Sequence, residues 1–534
     1  MNKKELSNPV FIISLIIVGA MAIWSVAGNE SFAAVANICF GVLTSDFAWL
    51  YLIAMLVFFF FMAWCAFGKF GKIRLGADDS RPEFKNFTWF GLLFGCGMGV
   101  GLVFWGVAEP LTHYLYPQAG TGIEAATPGA ADFALSSFFM HWGILPWANY
   151  AVVGLALAYF MYRKNKKGLI SVMLVPLIGE DRANGWLGKL IDIIAVFATV
   201  AAVVTSLGLG VIQINTGMNY MLGVPNTLTV QILIIAIITV IYTASAVSGI
   251  EKGMKIISDT NLYIAIGLMI ACFLIGPMVA DLNGLTQGIG NYIRDFFSVS
   301  LGISGYDADA NSWVGSWRVF YWAWFIAWAP FVGVFVAKIS KGRTIREFVL
   351  GVALVPAIAS CVWGAIMGNL GINLVEIGRM TIEAAQQAVA DPSAGLFVIL
   401  QQYSVFGIPV GQILCFVALV SLLFFFITSA NSGVYVLSML TSEGNLNPSN
   451  FKKILWGVII AVVCIGLLMA GGGGSGALKP LQTISLVAAF PFILVMFAIC
   501  GSFKKTLAQG ETKTLEKERI EELKSLLQTE KVEA

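Results

Sequence analysis

The sequence has few charged residues and few of the residues that build catalytic or metal sites. Charged residues form 12% of its 534 residues, about half the share usual in soluble domains. It has two histidines, His113 and His141, and its eight cysteines are scattered without ligand spacing, so neither disulfides nor a metal site is expected. No H-E-x-x-H, G-x-S-x-G or Walker sequence occurs, which argues against an enzyme or an ATP-driven pump. The net charge of +2 gives no indication of a nucleic-acid partner.

Long apolar runs are abundant instead. Hydrophobic residues form 58% of the chain, and runs of about 20 residues are long enough to cross a bilayer as helices. The pattern predicts an all-α polytopic membrane protein with twelve transmembrane helices. They are placed at about 9–28, 48–68, 87–108, 138–161, 187–214, 229–248, 261–280, 316–337, 348–370, 410–440, 453–471 and 481–502.

Lysine and arginine are distributed unevenly between the predicted loops. If the N-terminus is cytoplasmic, 28 of the 32 fall in cytoplasmic segments, and positive charge favours that side of a membrane. We therefore expect a cell (inner) membrane protein whose two termini both lie in the cytoplasm. Outside the spans, 282–300 is predicted to lie at the membrane interface, 372–390 to form a short amphipathic helix, and the tail after 510 to be helical by propensity.

Glycine is concentrated in the third span. Gly95, Gly97, Gly99 and Gly101 fall at every second position, whereas close helix packing uses every fourth. Each glycine costs a helix about 1 kcal/mol, and an unwound segment is tolerated in a membrane only where a cavity, ion or substrate meets its backbone. Close packing is one explanation, but the spacing favours an unwound binding segment.

The fourth span contains HWGILPWANY, residues 141–150. On a continuous helix Trp142, Trp147 and Tyr150 share one face, and Pro146 is expected to weaken the helix between the tryptophans. An aromatic belt at the membrane interface is the alternative explanation, because belts enrich the same residue types.

The eighth span also presents an aromatic face. Trp324 and Trp328 are four residues apart, with Phe325 and Phe331 close by, and Pro330 is expected to break the span. Aromatic walls bind quaternary ammonium groups by cation–π attraction, which suits a fixed positive charge that has no N–H donor.

The spans offer little charge to balance a charged substrate. No Asp, Glu, Lys or Arg lies between Asp192 and Glu251, and a net-charged substrate usually requires an intramembrane counter-ion. A zwitterion is therefore favoured, or a substrate whose charges are met by rings, backbone dipoles and a bound cation.

Three stretches together resemble the betaine/choline/carnitine transporter family: GMGVGLVFWGVAEPLTHY (97–114), HWGILPWANY, and FYWAWFIAWAPFVGVFVAKISKGRTIREF (320–348). The resemblance covers about 9–502 and implies a leucine-transporter-like core of two inverted five-helix repeats, often in a homotrimer. The implied layout is an N-terminal tail (1–8), two peripheral helices (9–86), the first repeat (87–280), an interfacial helix (281–315), the second repeat (316–502) and a C-terminal tail (503–534).

The resemblance also implies the residues of a substrate site. The box around the ammonium group would be formed by Trp142, Trp147, Tyr150 and Phe325. Trp324 and Trp328 would line the path that the substrate takes. A substrate carboxylate would meet the backbone of the unwound segment and the adjacent helix dipole, at Gly97, Met98, Gly99 and Gly101.

Sodium is the coupling ion that the resemblance implies, with no other cofactor. One site would use Gly95, Met98, Phe425, Thr428 and Ser429, and a weaker second site would use Thr205, Ser206 and Phe331. Without the family, a Thr-Ser pair in a helix usually bonds its own backbone. Carnitine exchangers of the family place an arginine in the fifth span, and no Lys or Arg lies between 190 and 251 here.

Two residues depart from the family pattern: Phe325 replaces the last Trp of W-A-W-W, and Asn431 replaces a usual Asp. We expect a secondary active transporter that imports a quaternary ammonium or betaine-type osmolyte (glycine betaine, choline or carnitine) by sodium symport with alternating access. A sodium-independent betaine or carnitine exchanger is one alternative, and a channel or osmosensor without coupled transport is another.

Overall fold

The computed structural model describes residues 7–97, 99–248 and 251–512. Within these ranges the chain is mostly helical and forms no β-strand. Eleven helical segments are long and apolar enough to cross a membrane, and the remaining predicted span, 87–108, is divided into two shorter helices. The predicted fold class, an all-α polytopic membrane protein, is confirmed. Met98 and the tail from 513 onwards, with their predicted roles, lie outside the described residues.

The α-helices are numbered in chain order. The first twelve are α1 (Pro9–Ala27), α2 (Asn29–Ser45), α3 (Ala48–Phe67), α4 (Asn86–Gly97), α5 (Val100–Leu115), α6 (Pro128–Trp142), α7 (Ile144–Ala158), α8 (Val175–Ile178), α9 (Glu180–Asn184), α10 (Trp186–Leu222), α11 (Leu228–Ser248) and α12 (Glu251–Ile275). The others are α13 (Met278–Arg294), α14 (Phe296–Ser300), α15 (Ala308–Val314), α16 (Phe320–Ile339), α17 (Ile345–Glu376), α18 (Ile382–Ala390), α19 (Pro392–Gln401), α20 (Val410–Leu440), α21 (Asn450–Ala470) and α22 (Leu478–Gly510).

The centre of the bundle is built around α7, α10 and α16. Helix α16 packs against α7, α10 and α22, and α10 packs against α20 and α22. Almost every residue of α7 and α16 is buried. Helices α11 and α12 instead expose apolar side chains such as Val240 and Tyr263, as expected of helices that face lipid. Both aromatic stretches of the sequence therefore lie in the interior of the bundle.

Two connecting segments differ from the predicted layout. No apolar run predicts a helix at 29–47, but α2 occupies most of that segment. The amphipathic helix predicted at 372–390 is wrong in extent, because α17 continues to Glu376 and α18 begins only at Ile382. The Thr381 hydroxyl accepts a hydrogen bond from the Ala384 amide, so Thr381 caps a new helix.

The interfacial segment is amphipathic, as predicted. Helices α13 and α14 occupy most of 282–300. Ile293 and Phe297 are exposed, whereas Asp281 and Asn291, on the same segment, are buried against the bundle. An apolar face turned outwards and a polar face turned inwards suit a helix that contacts lipid.

The end of α22 is attached to the fourth span by a buried carboxylate. Arg163 donates two hydrogen bonds of 2.8 Å to the two oxygens of Glu511, and Tyr159 donates a third of 2.6 Å. The Glu511 side chain is only 3% exposed. Burial alone would raise the pKa of Glu511, but the hydrogen bonds and positive charges of Arg163 and Lys164 lower it from 4.5 to about 2.

We expect Glu511→Gln to destabilise the protein by about 1.5–3 kcal/mol, the usual contribution of hydrogen bonds to a charged group. Because its pKa is lower in the folded state, the stabilisation is complete above about pH 4.5 and is lost as the pH falls towards 2. Melting temperatures in detergent should therefore differ at pH 7 and converge below pH 4.5. Glu443→Gln, which removes an exposed ion pair with Lys167, is the control; an equal effect of both substitutions would contradict the account.

Candidate functional site

The glycine-rich span is interrupted, as its spacing predicts. Helix α4 ends at Gly97, and Gly99 is extended (φ −140°, ψ −178°) before α5 begins at Val100. A Cβ atom added to Gly95 or Gly99 would meet no atom within 4 Å, but one added to Gly101 would lie 2.4 Å from the Trp324 ring. Close packing thus explains the glycine at 101 but not those at 95 and 99. The contact between Gly101 and Trp324 joins the interrupted third span to the eighth span.

Four aromatic side chains from three helices, α6, α7 and α16, form a continuous cluster, which we call the ring cage. The ring of Phe325 lies 5.5 Å from that of Trp142 and 6.1 Å from that of Tyr150, and Trp147 lies 5.4 Å from Tyr150. All contacts are edge-to-face, between 78° and 90°, and all four residues are buried. The predicted box residues are therefore brought together.

Trp324 and Trp328, the two residues predicted to line the substrate path, occupy different positions relative to the ring cage. Trp324 stacks on Phe325 at 5.8 Å and 13° and thus extends one wall of the ring cage. Trp328 is half-buried and packs edge-on against Phe331 at 4.9 Å. Trp328 and Phe331 form a pair one turn further along α16, beside the ring cage.

The fourth span is not one continuous helix. The prediction that Trp142, Trp147 and Tyr150 share one face of a single helix is therefore wrong. Helix α6 ends at Trp142, Gly143 adopts φ −83° and ψ −135°, and α7 begins at Ile144. Pro146 is the third residue of α7, where an amide would have no partner within the helix. It therefore starts a helix rather than weakening one. Trp142 reaches the ring cage from α6, and Trp147 and Tyr150 reach it from α7.

The break expected at Pro330 is also wrong, since α16 runs without interruption from Phe320 to Ile339. A proline removes one backbone hydrogen bond and disturbs the carbonyls of the preceding turn. The carbonyl that loses its amide partner is that of Ile326, and Asn149 on α7 donates a 2.9 Å hydrogen bond to the carbonyl of the residue before it, Phe325. That bond joins α16 to α7 just before the proline, and packing against neighbouring helices lets a transmembrane helix keep its proline.

One buried carboxylate that contacts the ring cage, that of Glu109, was not predicted from the sequence. Glu109 is fully buried, and its Oε2 accepts hydrogen bonds from Trp142 Nε1 at 2.9 Å and from the hydroxyl of Tyr321. Its Oε1 lies 2.6 Å from His141 Nδ1 and 3.4 Å from His113 Nε2. One signal was present in the sequence: both histidines of the chain lie in the stretches that carry the resemblance.

The geometry of these three groups favours hydrogen bonding over metal binding. Their ligand atoms lie within 4.8 Å of one another. Two ligands of a tetrahedral zinc ion are separated by ~3.3 Å, given bonds near 2.0 Å. The 2.6 Å between His141 and Glu109 is shorter and is typical of a strong hydrogen bond.

The first predicted sodium site is described in part. The Thr428 hydroxyl donates to the carbonyls of Phe424 (2.9 Å) and Phe425 (3.2 Å), a bond that leaves the lone pairs of its oxygen available to a cation. Ser429 follows on the same helix, α20. Asn431, one turn from Thr428, donates to the Ser245 hydroxyl at 3.0 Å and so ties α20 to α11.

The second predicted sodium site lies between α10 and α22. The Thr205 hydroxyl lies 2.7 Å from the Leu481 carbonyl and 2.9 Å from the Ser485 hydroxyl. Ser206 is buried, and its hydroxyl has no hydrogen-bond partner among the described residues. Helix α10 also packs against α16, which carries Phe331.

A separate cavity of about 480 Å³ lies between α3, α13, α14 and α17. Its lining is almost wholly apolar and includes Phe59, Ile293, Phe297 and Ile358. None of the predicted site residues lines it. It offers no charged group to a zwitterion, so the ring cage remains the candidate site.

Comparisons with known proteins show the family to which the chain belongs. The chain matches the model of a family described as BCCT, betaine/carnitine/choline family transporter, over residues 9–512. It is 45% identical over 507 residues to a probable glycine betaine transporter of Desulfitobacterium hafniense, covering 95% of this chain and 98% of that protein. It is 40% identical over 522 residues to the glycine betaine transporter OpuD of Bacillus subtilis, covering 98% of each. It is 40% identical over 514 residues to an ectoine/hydroxyectoine transporter of Virgibacillus pantothenticus, covering 96% and 99%.

Proposed function

Because the chain belongs to the betaine/carnitine/choline family of transporters, we propose that it imports glycine betaine across the cell membrane by sodium symport. It is a betaine-type transporter and not an enzyme. The observation that carries the choice of substrate is the ring cage of Trp142, Phe325, Tyr150 and Trp147.

The ring cage suits the trimethylammonium end of glycine betaine. Trimethylammonium has a fixed charge and no N–H group, so hydrogen bonds cannot satisfy it. Desolvated aromatic rings attract such a cation by ~0.5–2 kcal/mol each. Four buried rings in one continuous cluster can supply this attraction without a carboxylate in direct contact with the substrate.

The interrupted third span suits the carboxylate end. Gly99 is extended immediately before α5, and the first amides of a helix have no partner within it and carry its positive dipole. Gly101 lies against the Trp324 ring, which stacks on Phe325. These contacts connect an anion-binding helix end to the ring cage, and they support a zwitterion bridging the two.

Sodium would act through two sites. We propose that Thr428 and Ser429, with the carbonyls of Gly95 and Met98, hold one sodium ion. Thr205 and Ser206 would contribute to a weaker second site. The repeats at 87–280 and 316–502 would rock about this region to give alternating access, with both termini in the cytoplasm and three chains in the assembly.

We expect Thr428→Ala to raise the sodium concentration for half-maximal glycine betaine binding by about tenfold or more, the scale of losses at metal sites. Ser438→Ala is the matched control, because Ser438 makes the same bond to the carbonyl four residues before it, on the same helix. A similar change in both variants would show that Thr428 only bonds its own backbone.

Ectoine is the second candidate substrate, because the relative from Virgibacillus pantothenticus is named as its transporter. Phe325 is smaller than tryptophan and leaves room for a cyclic zwitterion. Competition against labelled glycine betaine by unlabelled ectoine, choline and carnitine ranks the candidates directly.

Equilibrium binding tests the proposed function. Labelled glycine betaine is titrated onto the purified protein in detergent, in NaCl and in KCl of equal ionic strength. We expect saturable binding that is strong in NaCl and at least tenfold weaker in KCl, the scale of losses at metal sites, with glycine betaine the best competitor. Equal binding in both salts would contradict sodium coupling, and stronger competition by ectoine would reassign the substrate.

A further inference from the structure

Among the residues that the structure describes, Glu109 is the one acidic side chain that hydrogen-bonds a residue of the ring cage. It projects from α5, and its Oε2 accepts hydrogen bonds from Trp142 Nε1 and from the Tyr321 hydroxyl. Trp142 contacts Phe325 edge-to-face, and Tyr321 stacks on Phe325 at 5.8 Å and 24°. A single carboxylate oxygen therefore holds two rings, Trp142 and Tyr321, that both contact Phe325.

The second oxygen of Glu109 is hydrogen-bonded to His141 and lies near His113. His141 Nδ1 lies at 2.6 Å and His113 Nε2 at 3.4 Å, and both rings are fully buried. The His141 ring also stacks on Tyr321 at 4.8 Å and 22°. The hydrogen bond to His141 thus fixes the rotation of the carboxyl group, and Oε2 is left to the two ring donors.

The carboxylate of Glu109 does not pair with the buried Arg318. Arg318 is 1% exposed; it donates to the Gly302 carbonyl and lies over the Trp313 ring. It forms no ion pair with Glu109 within the described chain. A hydrogen bond from an indole or phenol to an anion increases the electron density of the ring, and cation–π attraction depends on that density.

We propose that Glu109 is a positioning residue of the substrate site: through Trp142 and Tyr321 it orients the cage rings and supplies the negative charge that selects a quaternary ammonium. This rests on the proposed function, since it assumes that the ring cage holds the ammonium group. The preference for a positively charged ligand, and not only the fold of the ring cage, would then depend on Glu109, which does not touch the substrate.

The test compares two ligands of equal shape and unequal charge. 3,3-Dimethylbutyrate has the shape of glycine betaine, with a carbon atom in place of the ammonium nitrogen. Both compounds compete with labelled glycine betaine for the purified transporter in NaCl. In Glu109→Gln we expect the preference for glycine betaine over the carbon analogue to fall about tenfold, the difference between a charge-assisted and a neutral hydrogen bond. Glu109→Asp, which keeps the charge, should recover part of that preference.

A purely structural role of Glu109 predicts a different result. Both ligands would then lose affinity by the same factor, and this outcome would overturn the inference. Tyr321→Phe keeps the ring and removes one donor to Glu109, so it provides the same comparison if Glu109→Gln does not fold; an unchanged preference there would equally overturn it. Failure of the unmodified protein to bind glycine betaine would instead overturn the proposed function, and this inference with it.

Discussion

Phe325→Leu should weaken glycine betaine binding by roughly 30-fold, because about 2 kcal/mol of cation–π attraction from one desolvated ring is lost. Phe325 is the ring that joins the two halves of the cage, with Trp142 on one side and Tyr150 on the other. Leucine keeps most of the apolar volume, so packing is largely preserved. Titration of labelled glycine betaine in detergent measures the change.

Two further variants separate ring chemistry from packing. Phe325→Trp, unlike Phe325→Leu, keeps an aromatic face, and it should bind glycine betaine at least as tightly as the unmodified protein. Phe397→Leu removes an equally buried ring that packs against Gly217, outside the ring cage, and should leave the affinity unchanged. Equal losses in Phe325→Leu and Phe397→Leu would mean that stability, not ammonium binding, explains the effect.

Gly101→Ala should weaken binding by roughly 5- to 100-fold, the range that corresponds to an overpacking cost of about 1–3 kcal/mol. The new methyl group would lie 2.4 Å from the Trp324 ring. Since Trp324 stacks on Phe325, a displaced indole moves the wall of the ring cage. Alanine is the better helix former, so α5 itself should not be weakened.

Gly91→Ala is the matched control for this substitution. Gly91 lies in α4, and an added Cβ would meet no atom within 4 Å. Binding should be unchanged in Gly91→Ala and reduced in Gly101→Ala. Unchanged binding in Gly101→Ala would mean that Trp324 moves freely and that the third span is not coupled to the ring cage through it.

The membrane helices could be predicted from the sequence because a lipid environment permits few structures. Backbone groups must be satisfied within each span, so a long apolar run in a membrane protein becomes a helix. The interruption near Gly99 was also predictable, since four glycines at alternate positions lower the stability of a helix. The short helix α2 was not, because polar residues such as Asn29 and Glu30 hide it from a hydropathy criterion.

The details of the site depend on contacts that local sequence does not encode. Pro330 lies inside a continuous helix, and Asn149, far away in the chain, hydrogen-bonds the Phe325 carbonyl just before the turn that the proline disturbs. Pro146 belongs to a first turn only because Gly143 ends the preceding helix. Glu109 meets the indole of Trp142 and the hydroxyl of Tyr321 across three helical segments. Its pairing with the two histidines becomes visible only when these segments are folded together.

Uptake of labelled glycine betaine into proteoliposomes tests the central claim most directly. Initial rates are compared with and without an inward sodium gradient, with empty liposomes as the blank. The account predicts saturable accumulation that requires the sodium gradient and needs no internal substrate. Accumulation only when glycine betaine is loaded inside would identify an exchanger, and flux that does not saturate would identify a channel. Either result, or uptake no greater than in the blank, would contradict the account.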